Sequence, residues 1–165
     1  MSEVTEDQIK KISEMQTCAV SNAIEGMNIR SKTDGFMMPN IKSMFPNMGG
    51  MAGHAVTATI KASKAPTEDT TFSRVKFVDE ILKIPGPRVI VMQDLDAPDV
   101  IGSFWGEVQA GVFSSLNCVG VVTDGGVRDL DDMQKHGFNA FATTELVSRA
   151  HVHLVEANIP VTVGG

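Results

Sequence analysis

The residues best suited to chemistry lie in one stretch, Val121-Val122-Thr123-Asp124-Gly125-Gly126-Val127-Arg128-Asp129-Leu130-Asp131-Asp132. It reads as a buried strand, a glycine turn and the opening of a helix. In α/β sheets ligand sites gather at the C-terminal ends of strands, where this turn falls. Gly125 and Gly126 allow the backbone to approach a ligand closely. Arg128 offers a planar fork matched to a carboxylate, and Asp129 offers a hard oxygen suited to a divalent cation. The same residues also have a purely structural explanation. Asp129 would then be the N-cap of the helix that follows, with Asp131 and Asp132 favoured by its dipole, and Arg128 would pair with a carboxylate on the surface.

Other residue groups carry less. His151 and His153 would share a strand face, but with no third ligand beside them they read as ordinary strand residues. Gly49-Gly50-Met51-Ala52-Gly53 lacks the lysine of a phosphate loop and precedes a strand, so a turn is expected. Asp94, Asp96 and Asp99 lack calcium-loop spacing and read as a solvated loop. Cys18 and Cys118 form no CxxC pattern and are expected to be two reduced, buried thiols.

The elements that must position these groups follow from periodicity and punctuation. Thr5 with Gln8 forms a capping box ahead of a helix carrying Ile9 and Ile12. A second helix opens at Thr17 and is expected to close at Gly26. Residues 27–53, rich in Gly, Pro, Asn and Met, read as a long irregular segment whose methionines fill core gaps or an interface. Alternation over His54 to Ala62 predicts a half-exposed strand, and Phe72 to Leu82 a helix stopped by Pro85-Gly86-Pro87. A buried strand at Arg88–Met92, a helix from about Phe104 to Leu116 and a strand at Gly120–Thr123 come next. A helix from Asp129 to His136 and strands at Ala140–Ala142, Val152–Val155 and Ile159–Val163 complete the pattern. Such alternation of helix and strand argues an α/β domain with a partly parallel sheet.

At 165 residues the chain fits a single domain, residues 1–165, with a core large enough to stand without staples. A hydrophobic fraction of 42% and a mean hydropathy of +0.03 are those of a globular protein. The charge of −6, the lack of any tyrosine and the single tryptophan exclude the basic, aromatic surface of a nucleic-acid binder. The acidic balance also disfavours anionic membranes. The polar, acidic start has no apolar export segment, and no stretch is long and apolar enough to span a bilayer, so the expected address is the cytoplasm.

Trp105-Gly106-Glu107, followed by Gly120-Val121-Val122-Thr123-Asp124-Gly125-Gly126-Val127-Arg128-Asp129, resembles the RraA-like family. The resembling branch comprises the 4-hydroxy-4-methyl-2-oxoglutarate aldolases, which also decarboxylate oxaloacetate. The family signature is a glycine or acid, twenty residues, Arg-Asp, two residues and an acid. Here Glu107, Arg128, Asp129 and Asp132 fill it, and Glu107 stands where better-known branches have aspartate or glycine. The likeness extends over most of the chain, to Val161-Thr162-Val163-Gly164-Gly165, after which relatives continue through further strands.

The resemblance implies a β/β/α sandwich around a small barrel-like sheet, short of those last strands. It implies a class II, metal-dependent pyruvate aldolase and oxaloacetate decarboxylase. Asp129 would bind Mg²⁺ or Mn²⁺ directly, and Glu107 would sit in the outer shell, orienting a water on the metal. Arg128 would hold the oxo-acid and stabilise the enolate, and the amides of Val108 and Gln109 would receive its carboxylate. It further implies a homotrimer or homohexamer, a small 2-oxo acid as partner, and neither nucleic acid nor membrane. Two other outcomes stay open: a non-catalytic regulator of a ribonuclease acting by protein–protein contact, and an inactive short relative.

Overall fold

The computed structural model describes residues 4–68 and 72–165; the first three residues of the polar N-terminal stretch lie outside these. Helix α1 (Glu6–Ser13) opens on the expected capping box. The Thr5 hydroxyl accepts from the Gln8 amide at 3.3 Å, and the Gln8 side chain accepts from the Thr5 amide at 2.9 Å. Helix α2 (Thr17–Gly26) opens at Thr17 and closes at Gly26 as expected, although Gly26 does not supply the left-handed residue. Gly26 is its last helical residue, and the left-handed turn falls at Asn28, with φ of 51°. Asparagine is among the few residues that tolerate that conformation. Residues 27–53 are largely irregular but hold β1 (Lys42–Ser43) and a single 3₁₀ turn at Pro46–Met48. Met44 and Met48 pack against the core, whereas Met27 and Met38 are exposed.

From His54 onward helix and strand alternate as periodicity predicted: β2 (His54–Lys61), α3 (Arg74–Leu82), β3 (Arg88–Asp94), α4 (Glu107–Ser115) and β4 (Cys118–Thr123). They are followed by β5 (Gly126–Val127), α5 (Leu130–Lys135), β6 (Asn139–Ala142), β7 (Thr144–Glu145) and β8 (His153–Ala157). The main sheet has the order β1-β6-β4-β3-β2-β8, and β5 and β7 form a separate two-stranded piece. Strands β6, β4, β3 and β2 run parallel, flanked by antiparallel β1 and β8. The molecule is thus a mixed α/β domain. Because β2 lies between two partners, Thr59 is buried as well as Val56, Ala58 and Ile60, so the half-exposed strand is instead an internal one. The strand expected at Ile159–Val163 does not form. Pro160 has no amide to donate, and the Thr162 amide goes to the Gln93 side chain at 3.2 Å rather than to a ladder.

The core joins sheet to helices through Val56, Ile60, Ile90, Met92 and Val121 on the strands and Phe77, Ile81, Phe113 and Met133 on the helices. Each such side chain contributes roughly 1.5–3 kcal/mol on burial. Trp105, fully buried, stacks on Phe138 at 5.3 Å and meets Phe104 and Phe113 at 5.3 and 5.4 Å. This aromatic cluster anchors the turn that leads into α4. Gly120 is required where β4 crosses β6, since a Cβ there would lie 2.3 Å from the Asn139 carbonyl oxygen. Cys118 is buried, and burial pushes its thiol up to about 11, against the opposing charge of Arg88; Cys18 is exposed, contrary to the expectation of two buried thiols.

Candidate active site at the Arg128–Asp129 turn

Two short hydrogen-bonded pieces bring the glycine turn beside the start of α4. Strand β5 pairs with β7, and Trp105 bridges Val127, with the Arg128 amide donating to the Trp105 carbonyl at 3.1 Å. The buried Ser103 hydroxyl lies 2.7 Å from the Trp105 carbonyl and 2.8 Å from that of Gly126. Arg128 and Asp129 are therefore held against Gly106 and Glu107, twenty-odd residues away in the chain. Gly106 is the closest point. A Cβ on it would meet Asp129 Oδ2 at 2.7 Å and Arg128 Cγ at 3.1 Å.

Asp129 occupies the N-cap position of α5 but does not cap it. Its backbone is left-handed, with φ 53° and ψ 46°, and its side chain makes no capping hydrogen bond. A non-glycine residue there costs on the order of 1–3 kcal/mol. Oδ2 instead accepts from Arg128 Nε at 3.2 Å and from the Glu107 amide at 3.4 Å. Oδ1 takes no hydrogen bond from the described residues. The capping explanation of Asp129 is thereby set aside, while the surface pairing expected of Arg128 is real: its partner is Asp129 itself. Both side chains are about one-third exposed (32% and 37%), so the pair adds little stability. Arg128 also donates to the Val147 carbonyl at 3.4 Å.

The other predicted residues are placed as follows. Glu107 is the first residue of α4, with an exposed side chain whose negative charge is felt at Lys135. Only its amide touches Asp129. Gly106, the N-cap, has no side chain to cap α4, and the amides of Val108 and Gln109 donate to no acceptor among the described residues. Those orphan amides, with the positive end of the helix dipole behind them, suit an anion. Asp132 is engaged by Lys135 at 2.7 Å. Two hollows share Arg128 and Asp129. One is a cleft of about 570 Å³ that also includes Asp131, Asp132 and Glu145, and the other is a recess of about 120 Å³ that includes Val108 and Gln109. The recess also contains Arg74 and Arg149, which no sequence motif singled out because they arrive from α3 and from the loop before β8.

No group of three or more His, Cys, Asp or Glu able to hold a metal occurs among the described residues. A cation held wholly by side chains is therefore not what this donor set fits. One free carboxylate oxygen, Asp129 Oδ1, in a partly exposed cleft fits a hydrated Mg²⁺ or Mn²⁺, which keeps several waters. His151 and His153 do not form a second centre: His153 is buried, with Nδ1 2.8 Å from the His151 carbonyl.

A larger cavity, about 820 Å³, lies at different residues, among them Asp94, Asp124 and Thr143. Asp94 is buried, not in a solvated loop. Burial pushes its carboxyl up to about 6; the Asp96 amide opposes this, and the charges of Asp96 and Asp124 add to it. Its Oδ1 accepts from the Asp96 amide at 3.0 Å, and its Oδ2 is buried without a partner. Asp96 is tied to the Ala62 and Ser63 amides at 2.6 and 2.8 Å. Arginine and lysine are absent from this cavity's lining, so no cationic side chain there would pair with an anionic substrate.

Comparison with known proteins agrees with this architecture. A structure described as a novel cellulase from microbes associated with the gut ecosystem superposes with a TM-score of 0.78 at 15% identity, covering 99% of this chain and 71% of its own. RraAS2 of Streptomyces coelicolor, described as an unusual member of the RNase ES inhibitor RraA family, gives 0.70 at 16% identity, covering 100% and 77%. The RNA-processing inhibitor RraA from Thermus thermophilis gives 0.55 at 16% identity, covering 92% and 85%. At these identities the likeness shows the fold. Among curated protein sequences there is no match. No helix among the described residues is long and apolar enough to cross a membrane. The family model for RraA-like proteins, Aldolase/RraA, matches residues 17–165, and with nine-tenths of its length so matched the chain belongs to the RraA-like family.

Proposed function

We propose that this protein is a divalent-metal-dependent carbon–carbon lyase that cleaves a 4-hydroxy-2-oxo acid to pyruvate, with oxaloacetate decarboxylation as a related activity. The observation that carries this reading is the conformation of Asp129. It is held left-handed, its carboxylate turned away from its own helix toward Arg128 and the Glu107 amide, with Oδ1 left free. Strain kept at a residue whose side chain does not cap its own helix points to another task for that residue.

In this reading Asp129 Oδ1 holds Mg²⁺ or Mn²⁺. Such an ion, when bound, supplies Lewis-acid stabilisation of negative charge growing on the substrate's keto oxygen. The residues of the chain do the rest. The Val108 and Gln109 amides receive the substrate carboxylate at the open end of α4. Arg128, already fixed by Asp129 and the Val147 carbonyl, donates to the keto oxygen as it becomes an enolate oxygen. In the aldol cleavage a base removes the 4-hydroxyl proton, the C3–C4 bond breaks, and its electron pair passes into the pyruvate enolate, which takes a proton at C3. Loss of CO₂ from oxaloacetate delivers its electron pair to the same enolate, so one arrangement serves both reactions. Glu107, exposed at the head of α4, would orient water beside the site.

A second reading, a regulator of ribonuclease activity acting by protein contact, is favoured by the names of the Streptomyces and Thermus neighbours. The oxaloacetate assay separates the two. Protein-dependent pyruvate release above the metal-only background, abolished by chelator, is expected of the lyase; release no greater than background favours the regulator. The assembly proposed, a homotrimer or homohexamer, is open to sedimentation.

A further inference from the structure

The recess beside Arg128 holds more positive charge than one carboxylate needs. Three arginines, Arg74, Arg128 and Arg149, line it against a single acid, Asp129, in a protein whose formal charge is −6. Arg128 is already engaged by Asp129 and the Val147 carbonyl. Arg74 and Arg149 have neither an ion pair nor a side-chain hydrogen bond among the described residues; Arg74 only lies over the Phe104 ring at 5.6 Å.

Their backbones, by contrast, are well fixed. Arg74 opens α3, a first turn without an acidic side chain, where the helix dipole disfavours a cation. The segment bearing Arg149 is bound on both sides: the Ser103 amide donates to Ser148, the Ser148 hydroxyl bonds to the Ile101 carbonyl, and the Val152 amide donates to Arg149. Two arginines on fixed backbones, lining one recess and without an ion pair among the described residues, suit recognition of an external anion.

We infer that Arg74 and Arg149 are specificity-determining residues that read a second, distal carboxylate of the oxo-acid whose first carboxylate lies at the Val108 and Gln109 amides. This rests on the site proposed above. It assigns selectivity between monocarboxylate and dicarboxylate oxo-acids to two residues outside the family signature.

The test is isothermal titration of the full chain with Mn²⁺, using pyruvate and 2-oxoglutarate as probes, for the unaltered protein, R74Q, R149Q and the double variant. The unaltered protein is expected to bind 2-oxoglutarate about tenfold more tightly than pyruvate, the factor that one charge-assisted hydrogen bond supplies. Each single variant should lose a several-fold part of that preference and the double variant all of it. Pyruvate affinity should stay within about twofold, as for exposed side chains away from its contacts. A preference absent from the unaltered protein, or equal losses for both probes, overturns the inference. Failure of the unaltered protein to bind pyruvate at all overturns the underlying site instead, and is told apart by needing no variant.

Discussion

Two carboxylates, one closing β3 in the main sheet and one following β5 in the two-stranded piece, have opposite fates. At the end of β3, Asp94 is 2% exposed, one oxygen held by the Asp96 amide and the other buried without a partner. Just beyond β5, Asp129 is about one-third exposed and lines a cleft, with one oxygen bound to Arg128 and Glu107 and the other without a hydrogen bond among the described residues. Burial pushes the Asp94 carboxyl up, and Asp94 lines the larger cavity, yet no arginine or lysine lines that cavity with it. Asp129 has an arginine beside it and orphan amides nearby. The difference teaches that a shifted pKa and a large hollow mark desolvation, whereas available oxygens and paired opposite charges mark a place where chemistry can be done.

The strongest way to break the comparison is to exchange the carboxylates one at a time. D129A should reduce metal-dependent pyruvate release by about 10³-fold or more, since it removes the sole cation ligand proposed. Its melting temperature should hardly move, because an exposed pair contributes at most about 1 kcal/mol. Unaltered turnover in D129A would sink the site assignment.

D94N should act on stability rather than turnover. A carboxyl raised from 3.8 to about 6 is protonated more readily in the folded chain than in the unfolded one. Its contribution is therefore most favourable below the unfolded value and is lost as pH rises from about 4 through 6, by at most ~3 kcal/mol. Urea unfolding at pH 4, 5, 6 and 7 should show that decline in the native protein and a smaller one in D94N. Matching slopes would mean that Asp94 is not the group responsible.

G106A sharpens the claim from the other side. The added Cβ, 2.7 Å from Asp129 Oδ2, must push the carboxylate aside, and we expect roughly a tenfold fall in kcat/KM. Full activity would show that the close packing of Gly106 on Asp129 is incidental. D132A should have the least effect, within about threefold in kcat/KM, because Asp132 is already engaged by Lys135 in a solvent-exposed pair. A larger loss would make Asp132 part of the metal's surroundings.

The sequence made the strands legible wherever burial on both faces gave short apolar runs, as at Arg88–Met92 and Gly120–Thr123, and it located the turn bearing Arg128 and Asp129. The helix expected from about Phe104 begins at Glu107, whose contact with Asp129 comes through its amide and not its carboxylate. What escaped were features set by tertiary neighbours. Alternation in β2 could not disclose that β8 would cover its second edge and bury Thr59. Acid spacing could not show that Asp94 closes a strand inside the protein. Ile159–Val163 has the composition of a strand, but Pro160 has no amide to donate and the Thr162 amide goes to the Gln93 side chain. Arg74 and Arg149 lie in unremarkable local sequence, and only the packing of α3 and the loop before β8 brings them to one recess.

The most direct measurement is Mn²⁺ binding followed by electron paramagnetic resonance for the native protein, D129A and D94N. The account predicts one Mn²⁺ per chain in the native protein and in D94N, and none in D129A at the same concentrations. Binding that survives in D129A and disappears in D94N would contradict it, and would move the metal to the buried end of β3.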